Sequence, residues 1–441
     1  MKIQRRLLAT LGAAAASALV LAGCSGAPSA ASNQVPLDDE QQINLWGWSG
    51  APGVDNIQRV IDAFEAKYPK ITVNYTEVLN TDYKNKASLA LGAGEPIDVI
   101  GVQANAWATE NQDFFLPVSD WPDSKGITDA YEPAVLAQED KLFSDGVLRS
   151  VPFGSSGSAV GYYNIDLLKA AGLTDYPRTW EDFAQLTKGL KAVDPDAVAA
   201  VMPADTWFQD EFVLTLAGQI DPDFFNRVRY EGASWDDPAY VQALERYKSL
   251  YDDGILDSST LDLGYVDAMA LFDQGKAAVV FNGTWEAGRL TQAFRDTNKL
   301  VPSDVGVMPV PTFDASEDGS LRSFLDLTYG IPTASTHQAA ATEFIKFATA
   351  GDGVAEWATG FAFVPAVKGF ALPDGVLTTD LETAGYATLQ TLVANPHGDR
   401  NNLSNLSAQV GKYILSVVSG EMTAQEAATQ GQTDLESGKY N

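Results

Sequence analysis

Between Ile43 and Gln103 the chain alternates two hydrophobic periods, and this alternation restricts the fold more than any other feature. "INLWGW" reads as a strand. "VDNIQRVIDAFEAKYP" spaces Ile57, Val60, Ile61 and Phe64 at helical period and stops at Pro69. "ITVNYTEV" alternates as a strand, "TDYKNKASLALGAG" reads as a helix closed by glycine, and "IDVIGVQ" is a strand again. The order βαβαβ predicts an α/β domain with a mostly parallel sheet. At 441 residues the chain exceeds one ordinary core and suffices for two lobes.

The middle reads differently. "VPFGSSGSAVGYYN" is strand-rich with small residues, and "TWEDFAQLTKGLKAV" is an amphipathic helix behind a Thr cap. "PAYVQALERYKSLYDDG" and "YVDAMALFDQG" are two further helices. "GKAAVVFNGTWEAGRL" holds a short apolar strand, Ala277 to Phe281, broken by Asn282, Gly283 and Thr284 and followed by Trp285. "DVGVMPVPTF" and "FLDLTYGIPTAS" are strand-like, and the remainder is mainly helical. There is no internal repeat, and no membrane-spanning run beyond the N-terminal apolar segment.

That segment runs from Leu7 to Ala22 behind "MKIQRR", the pattern of a secretory signal peptide. The single cysteine, Cys24, directly follows Leu21-Ala22-Gly23, so no intramolecular disulfide can form. "LAGC" resembles the lipobox of bacterial lipoproteins, which implies a diacylglycerol thioether on Cys24 and a new N-terminus there after cleavage. "SGAPSAASNQVPL" then reads as a flexible tether. The formal net charge is −29. Such acidity repels nucleic-acid backbones and anionic lipid headgroups and favours a neutral or cationic ligand, although acidity also serves plain solubility.

Catalytic patterns are scarce. Two histidines, His337 and His397, and one cysteine leave little for nucleophilic catalysis. "GSSGSAVG" does not have the spacing of a nucleophile elbow. "LGAGEP" is not a phosphate loop, and no metal motif occurs, so no cofactor and no metal are expected. A two-carboxylate glycosidase stays open, since it needs only Asp and Glu.

Four collinear pieces carry a family resemblance: "VIDAFEAKYPKITV", "GYYNIDLLKAAGLTDYPRTWEDF", "ALFDQGKAAVVFNGTWEAGRL" and "VGKYILSVVSGEMTAQEAATQGQTDL". From about Ile43 to Gly438 the chain resembles the maltodextrin-binding-like solute-binding proteins of carbohydrate ABC importers (family 1). The resemblance implies an α/β, two-lobed periplasmic-binding-protein-like fold of type II, with discontinuous lobes joined by hinge strands. The expected segments are 1–23 as signal peptide, 24–40 as lipidated Cys and tether, 41–150 plus 284–325 as N-terminal lobe, and 151–283 plus 326–441 as C-terminal lobe. Crossovers are expected near Val151–Phe153, Phe281–Thr284 and Phe324–Tyr329.

A sugar site needs flat aromatics for C–H faces and amides or carboxylates for hydroxyls. Candidates are sought at strand ends, where open α/β sheets bind ligands. Trp48, ending the first strand, and Ser49 are candidates, with Trp46 assigned to the core. Asp82 and Tyr83 follow the second strand, where capping by Thr81 and Asp82 is the alternative. Gln103, Asn105 and Trp107 follow the third. Trp207 could stack on a sugar or pack inside its helix. Asp326 is an acid within an apolar strand, and Phe363 is placed near the cleft by the resemblance alone. Trp285 is the leading candidate: Gly283 leaves room for close approach, Thr284 can cap a helix, and the family commonly stacks this Trp on a sugar ring.

The resulting expectation is a lipid-anchored, monomeric binding protein on the outer face of a Gram-positive cell membrane. It would hold a neutral oligosaccharide between its lobes and pass it to ABC permease subunits, without chemistry and without nucleic-acid partners. The rivals are a same-fold receptor for a cationic solute and a surface glycosidase.

Overall fold

The computed structural model describes residues 34–48, 54–103, 106–317, 319–399 and 404–440. The expected signal peptide, Cys24 and most of the expected tether lie outside the described residues. Nine strands are described: β1 (Gln41–Trp48), β2 (Ile71–Val78), β3 (Val99–Val102), β4 (Ser150–Ser158), β5 (Val160–Asn164), β6 (Val198–Val201), β7 (Ala277–Asn282), β8 (Val305–Pro309) and β9 (Arg322–Gly330). They form two sheets, ordered β2-β1-β3-β9-β4 and β6-β7-β5-β8.

In the first sheet β1 runs parallel to β2 and β3, and β9 runs antiparallel to β3 and β4. This is the predicted βαβαβ unit with an antiparallel pair added. The predicted helix, Val54–Lys67, buries its stripe: Ile57, Val60, Ile61 and Phe64 are each at most 2% exposed. Phe64 meets Phe344 edge-on at 5.1 Å and Phe347 at 5.6 Å, so helix Gln338–Ala350 closes the same core. Each such side chain contributes on the order of 1.5–3 kcal/mol on burial.

In the second sheet β6 is parallel to β7, and β5 lies antiparallel between β7 and β8. Helix Thr206–Ile220 is buried from Phe208 to Gln219. It is not apolar all round: Gln209, Asp210, Glu211, Thr215 and Gln219 are buried with it. They find partners. Gln209 Nε2 donates to the Pro203 carbonyl, the Ser407 hydroxyl donates to Asp210, and Arg322 pairs with Glu211. Thr215 Oγ1 donates to the Glu211 carbonyl and Gln219 Nε2 to the Val310 carbonyl. Around it pack residues of helices Pro238–Asp252, Ser404–Ser419 and Ala424–Ser437. The Thr cap holds as read: Thr179 and Asp182 form a reciprocal capping box at the start of Trp180–Val193.

Sheet membership differs from the expected segments. Val305–Pro309, within 284–325, pairs with β5 in the second sheet. Helices Gln338–Ala350 and Gly353–Phe361, within 326–441, contribute to the first core. The crossings differ too. Val151–Phe153 lies inside β4, and β7 ends without leaving its sheet. The chain passes from the first sheet to the second at Ala159, the single residue between β4 and β5, and returns between Pro309 and Arg322. Ala159 is fully buried with φ +64, a left-handed conformation that costs an L-residue roughly 1–2 kcal/mol. Gly157 and Gly161 flank the corner two residues away on either side, but the left-handed residue itself is an alanine, so the sequence did not mark the turn.

Two ties reinforce the crossing. The Gly157 amide donates to Thr284 Oγ1 at 2.9 Å, and the Tyr162 hydroxyl donates to the Gly283 carbonyl at 3.0 Å. Thr284 therefore does not cap: Gly283 is the N-cap of the short 3-10 turn Thr284–Leu290, and no side chain caps it. The threonine hydroxyl is used across the crossing instead.

Candidate binding site

The carboxyl ends of β6 and β7 lead to two half-buried indoles. After β6, Asp205 precedes helix Thr206–Ile220, whose second residue is Trp207. After β7, the turn at Asn282–Gly283 delivers Trp285. The ring centroids of Trp207 and Trp285 lie 5.9 Å apart at 48°. Phe324 on β9 flanks Trp285 at 6.3 Å. Both indoles are half-buried. Trp285 packs against the first core and Trp207 against the second, so this aromatic seat lies where the cores meet.

A polar chain holds Trp285 from behind. Its indole N–H donates to the Tyr265 hydroxyl at 2.9 Å. Tyr265 in turn donates to Glu286, which accepts from Arg289. Arg289 is held by a two-pronged bond to Asp273, Nε to Oδ1 at 2.9 Å and Nη2 to Oδ2 at 2.8 Å. Burial, reinforced by the Glu286 carboxylate, pushes the Tyr265 hydroxyl far above its ordinary pKa. Tyr265, Glu286, Arg289 and Phe324 were not among the expected site residues. The one cue was the pair Glu286 and Arg289, charges three apart in a corner otherwise made of small and apolar residues.

The first-sheet candidates form a second group. Trp48, Tyr83, Trp107 and Phe115 make a chain of rings at 5.2, 5.9 and 5.9 Å inside the first core. Trp48 is 7% exposed and lies over Gly101, where an added methyl would fall 2.7 Å from the indole. Trp46, expected in the core, is the half-buried member of the pair. Trp46 and Trp48 share one face of β1, and burial rises toward the strand's carboxyl end, so alternation alone does not separate core from ligand side here. Tyr83 is fully buried and donates to the Gly101 carbonyl at 2.6 Å. Trp107 Nε1 donates to Ser88 Oγ and the Lys84 carbonyl, and Gln103 Nε2 donates to Asn80 Oδ1 at 2.9 Å. Asp82, half-buried, pairs with Lys86 at 3.2 Å along its helix.

Phe363 is 1% exposed and packs on Trp357 and against Gly154, which places it in the core. Asp326 is placed by its backbone opposite Gly154 in β9. Ser49 and Asn105 lie outside the described residues. The structure thus unites Trp207 with Trp285 and groups Trp48, Tyr83 and Trp107. It puts Phe363 with neither.

The histidines serve structure. His337 Nδ1 lies 3.1 Å from the buried Asp98, and His397 Nδ1 lies 3.1 Å from the Gly218 carbonyl. Among the described residues no cluster of His, Cys, Asp and Glu could hold a metal, and no helix is long and apolar enough to cross a membrane. Glu286 and Asp273 both engage Arg289, an arrangement that neutralises carboxylates rather than freeing them for acid and base work.

Two α/β halves joined by crossing strands, with an aromatic seat at the junction, define a two-lobed solute-binding protein. Residues 50–355 match the bacterial extracellular solute-binding protein family, and the chain belongs to it. The family is one of binding proteins, not of enzymes. The multiple sugar-binding protein of Streptococcus mutans is 22% identical over 373 residues, 81% of this chain and 82% of that protein. A binding protein of Brucella abortus is 24% identical over 244 residues, 53% of this chain, and the chain spans 56% of that relative's length. Among solved structures, maltose-bound MalE3 of T. maritima has a TM-score of 0.71 at 18% identity, covering 90% of this chain and 99% of that one. The GacH receptor of Streptomyces glaucescens has a TM-score of 0.70 at 19% identity, covering 90% and 97%. At these identities the likeness is one of fold.

Proposed function

We propose that the chain is the substrate-capturing subunit of a carbohydrate ABC importer and holds a neutral oligosaccharide between two lobes. The observation that carries this reading is the Trp207–Trp285 seat, which offers apolar ring faces to sugar C–H groups. Names among its relatives, sugar-binding and maltose-bound, support the ligand class. In this reading one lobe is built on the β2-β1-β3-β9-β4 sheet and the other on β6-β7-β5-β8, with hinges at Ala159 and before Arg322. Trp48, Tyr83, Gln103 and Trp107 back the opposing wall. Cys24 carries the lipid that tethers a monomer to the outer face of a Gram-positive membrane, and closure around sugar creates the surface that permease subunits meet.

Calorimetric titration of the full-length chain tests it. The panel is maltotriose, chitotriose and stachyose, with spermidine and amino acids as controls and product analysis of each mixture. Micromolar binding of a saccharide without hydrolysis is expected. Binding of spermidine alone, or release of shorter sugars, overturns it.

A further inference from the structure

Tyr265 occupies a position that no ligand-facing argument selects. It opens helix Tyr265–Asp273, behind the aromatic seat rather than in it. Two of its atoms nevertheless hold the two indoles. Its hydroxyl oxygen accepts the Trp285 indole N–H, twenty residues away, at 2.9 Å. Its backbone amide donates to Asp205 Oδ2 at 2.8 Å. Asp205 is the residue from which helix Thr206–Ile220 starts, and Trp207 is the second residue of that helix. The adjoining Ala204 amide is fixed as well, donating to the Leu263 carbonyl at 2.8 Å.

The direction of the hydroxyl proton is determined by what surrounds it. An indole N–H can only donate, and a carboxylate can only accept. Glu286 accepts the hydrogen bond that the tyrosine hydroxyl donates. The hydroxyl lone pair is then left for Trp285. Glu286 cannot turn away, because Arg289 holds it, and Arg289 is itself anchored on both oxygens of Asp273. The bonds thus converge on Glu286: Trp285 donates to Tyr265 and Tyr265 to Glu286 from one side, while Arg289, anchored on Asp273, donates to Glu286 from the other.

We infer that Tyr265 is the positioning residue of the aromatic seat, setting the tilt of Trp285 through its hydroxyl and the placement of Trp207 through its amide. This rests on reading the indole pair as the sugar platform. Without the hydroxyl, a half-buried N–H loses its acceptor and the indole turns to find water. The sugar then meets a platform that must be ordered on binding, and ordering weakens affinity.

The test uses Tyr265→Phe, Trp285→Ala and the double variant in the full-length chain. Tyr265→Phe keeps the ring and removes only the hydroxyl. Without ligand, the emission difference between each Trp285 protein and its Trp285→Ala counterpart isolates this indole. In Tyr265→Phe that difference spectrum should shift to the red and become more open to acrylamide quenching. With the saccharide of the panel that binds, Tyr265→Phe should weaken affinity about tenfold. In the Trp285→Ala background the same change should alter it less than about twofold.

An unchanged difference spectrum overturns the inference. So does an equal loss of affinity in both backgrounds, since Tyr265 would then touch the ligand itself. If the native chain binds no saccharide, the sugar reading falls and the ligand-free spectrum alone decides the role of Tyr265. Should Tyr265→Phe fail to fold, Glu286→Gln, which weakens the acceptor of the tyrosine proton, should give the same red shift to a smaller extent. Its absence counts against the inference.

Discussion

The six-membered ring of Trp285 lies flat against the α-carbon of Gly283: a methyl group built there would fall 2.2 Å from Cη2 and Cζ3. Gly283 has φ −103, which any residue can adopt, so it is not there for backbone freedom. Its missing side chain is what lets the indole fold back.

Gly283→Ala should therefore leave the fold intact and displace the indole. We expect saccharide affinity to fall by ~1 kcal/mol or more, the scale of a lost aromatic stack. Titration with the bound sugar and a denaturant melt check it. A folded Gly283→Ala protein with native affinity would mean that Trp285 does not contact the ligand.

Trp207 and Trp285 touch, so their contributions should not add. Each Trp→Ala change should weaken binding by about 1 kcal/mol or more, and the double change by less than the sum, with a coupling of roughly 0.5–1.5 kcal/mol. A double-mutant cycle in calorimetry measures this. Strict additivity would show that the sugar uses the two rings independently, or only one of them.

The five tyrosines Tyr83, Tyr162, Tyr240, Tyr247 and Tyr329 are all held well above pKa 10, chiefly by burial. A raised pKa in the folded state gives stability that is complete below the unfolded value and lost as pH rises past it. Stability should thus stay level up to about pH 10 and then drop, at ~1.4 kcal/mol per pH unit for each tyrosine that ionises only on unfolding. Urea midpoints between pH 8 and 12, with phenolate absorbance followed alongside, report it. Phenolate appearing in the folded protein near pH 10 at all these rings would contradict it.

The same residues show what a sequence can disclose. The first sheet was legible because β1, β2 and β3 and their helices are local: period two and period 3.6 alternate within some sixty residues, and Phe64 falls on the buried stripe where its spacing puts it. The passage between sheets was not, since the left-handed turn falls on Ala159 at φ +64, while the neighbouring Gly157 and Gly161 lie within the strands on either side. Trp285 was legible as a large ring at a strand end. Its holder was not: the Tyr265 bond joins residues from separate elements, and periodicity carries no information on such partners. Trp48 shows the converse limit. A strand-end tryptophan next to a turn resembles a ligand platform, yet Gly101 on the neighbouring strand gives it a seat in the core.

Arg322, at the first position of β9, sits where the chain returns to the first sheet, and it is 1% exposed. Its Nε donates to Glu211 Oε2 at 3.3 Å, and its guanidinium lies 4.4 Å from the centre of the Phe225 ring. Burial opposes its charge, while Glu211, Asp210 and Asp399 favour it. Such a pair is costly to break and less costly to replace whole. Arg322→Met should cost roughly 3–5 kcal/mol, because Glu211 is then a buried carboxylate that has lost its cation. Arg322→Met with Glu211→Met should recover at least half of that loss. Urea melts of the native protein, of Arg322→Met, of Glu211→Met and of the double variant decide it. If the double change is as damaging as the sum of the single ones, the pair is not the source of the effect, and the stacking of Arg322 on Phe225 becomes the interaction that secures the crossing.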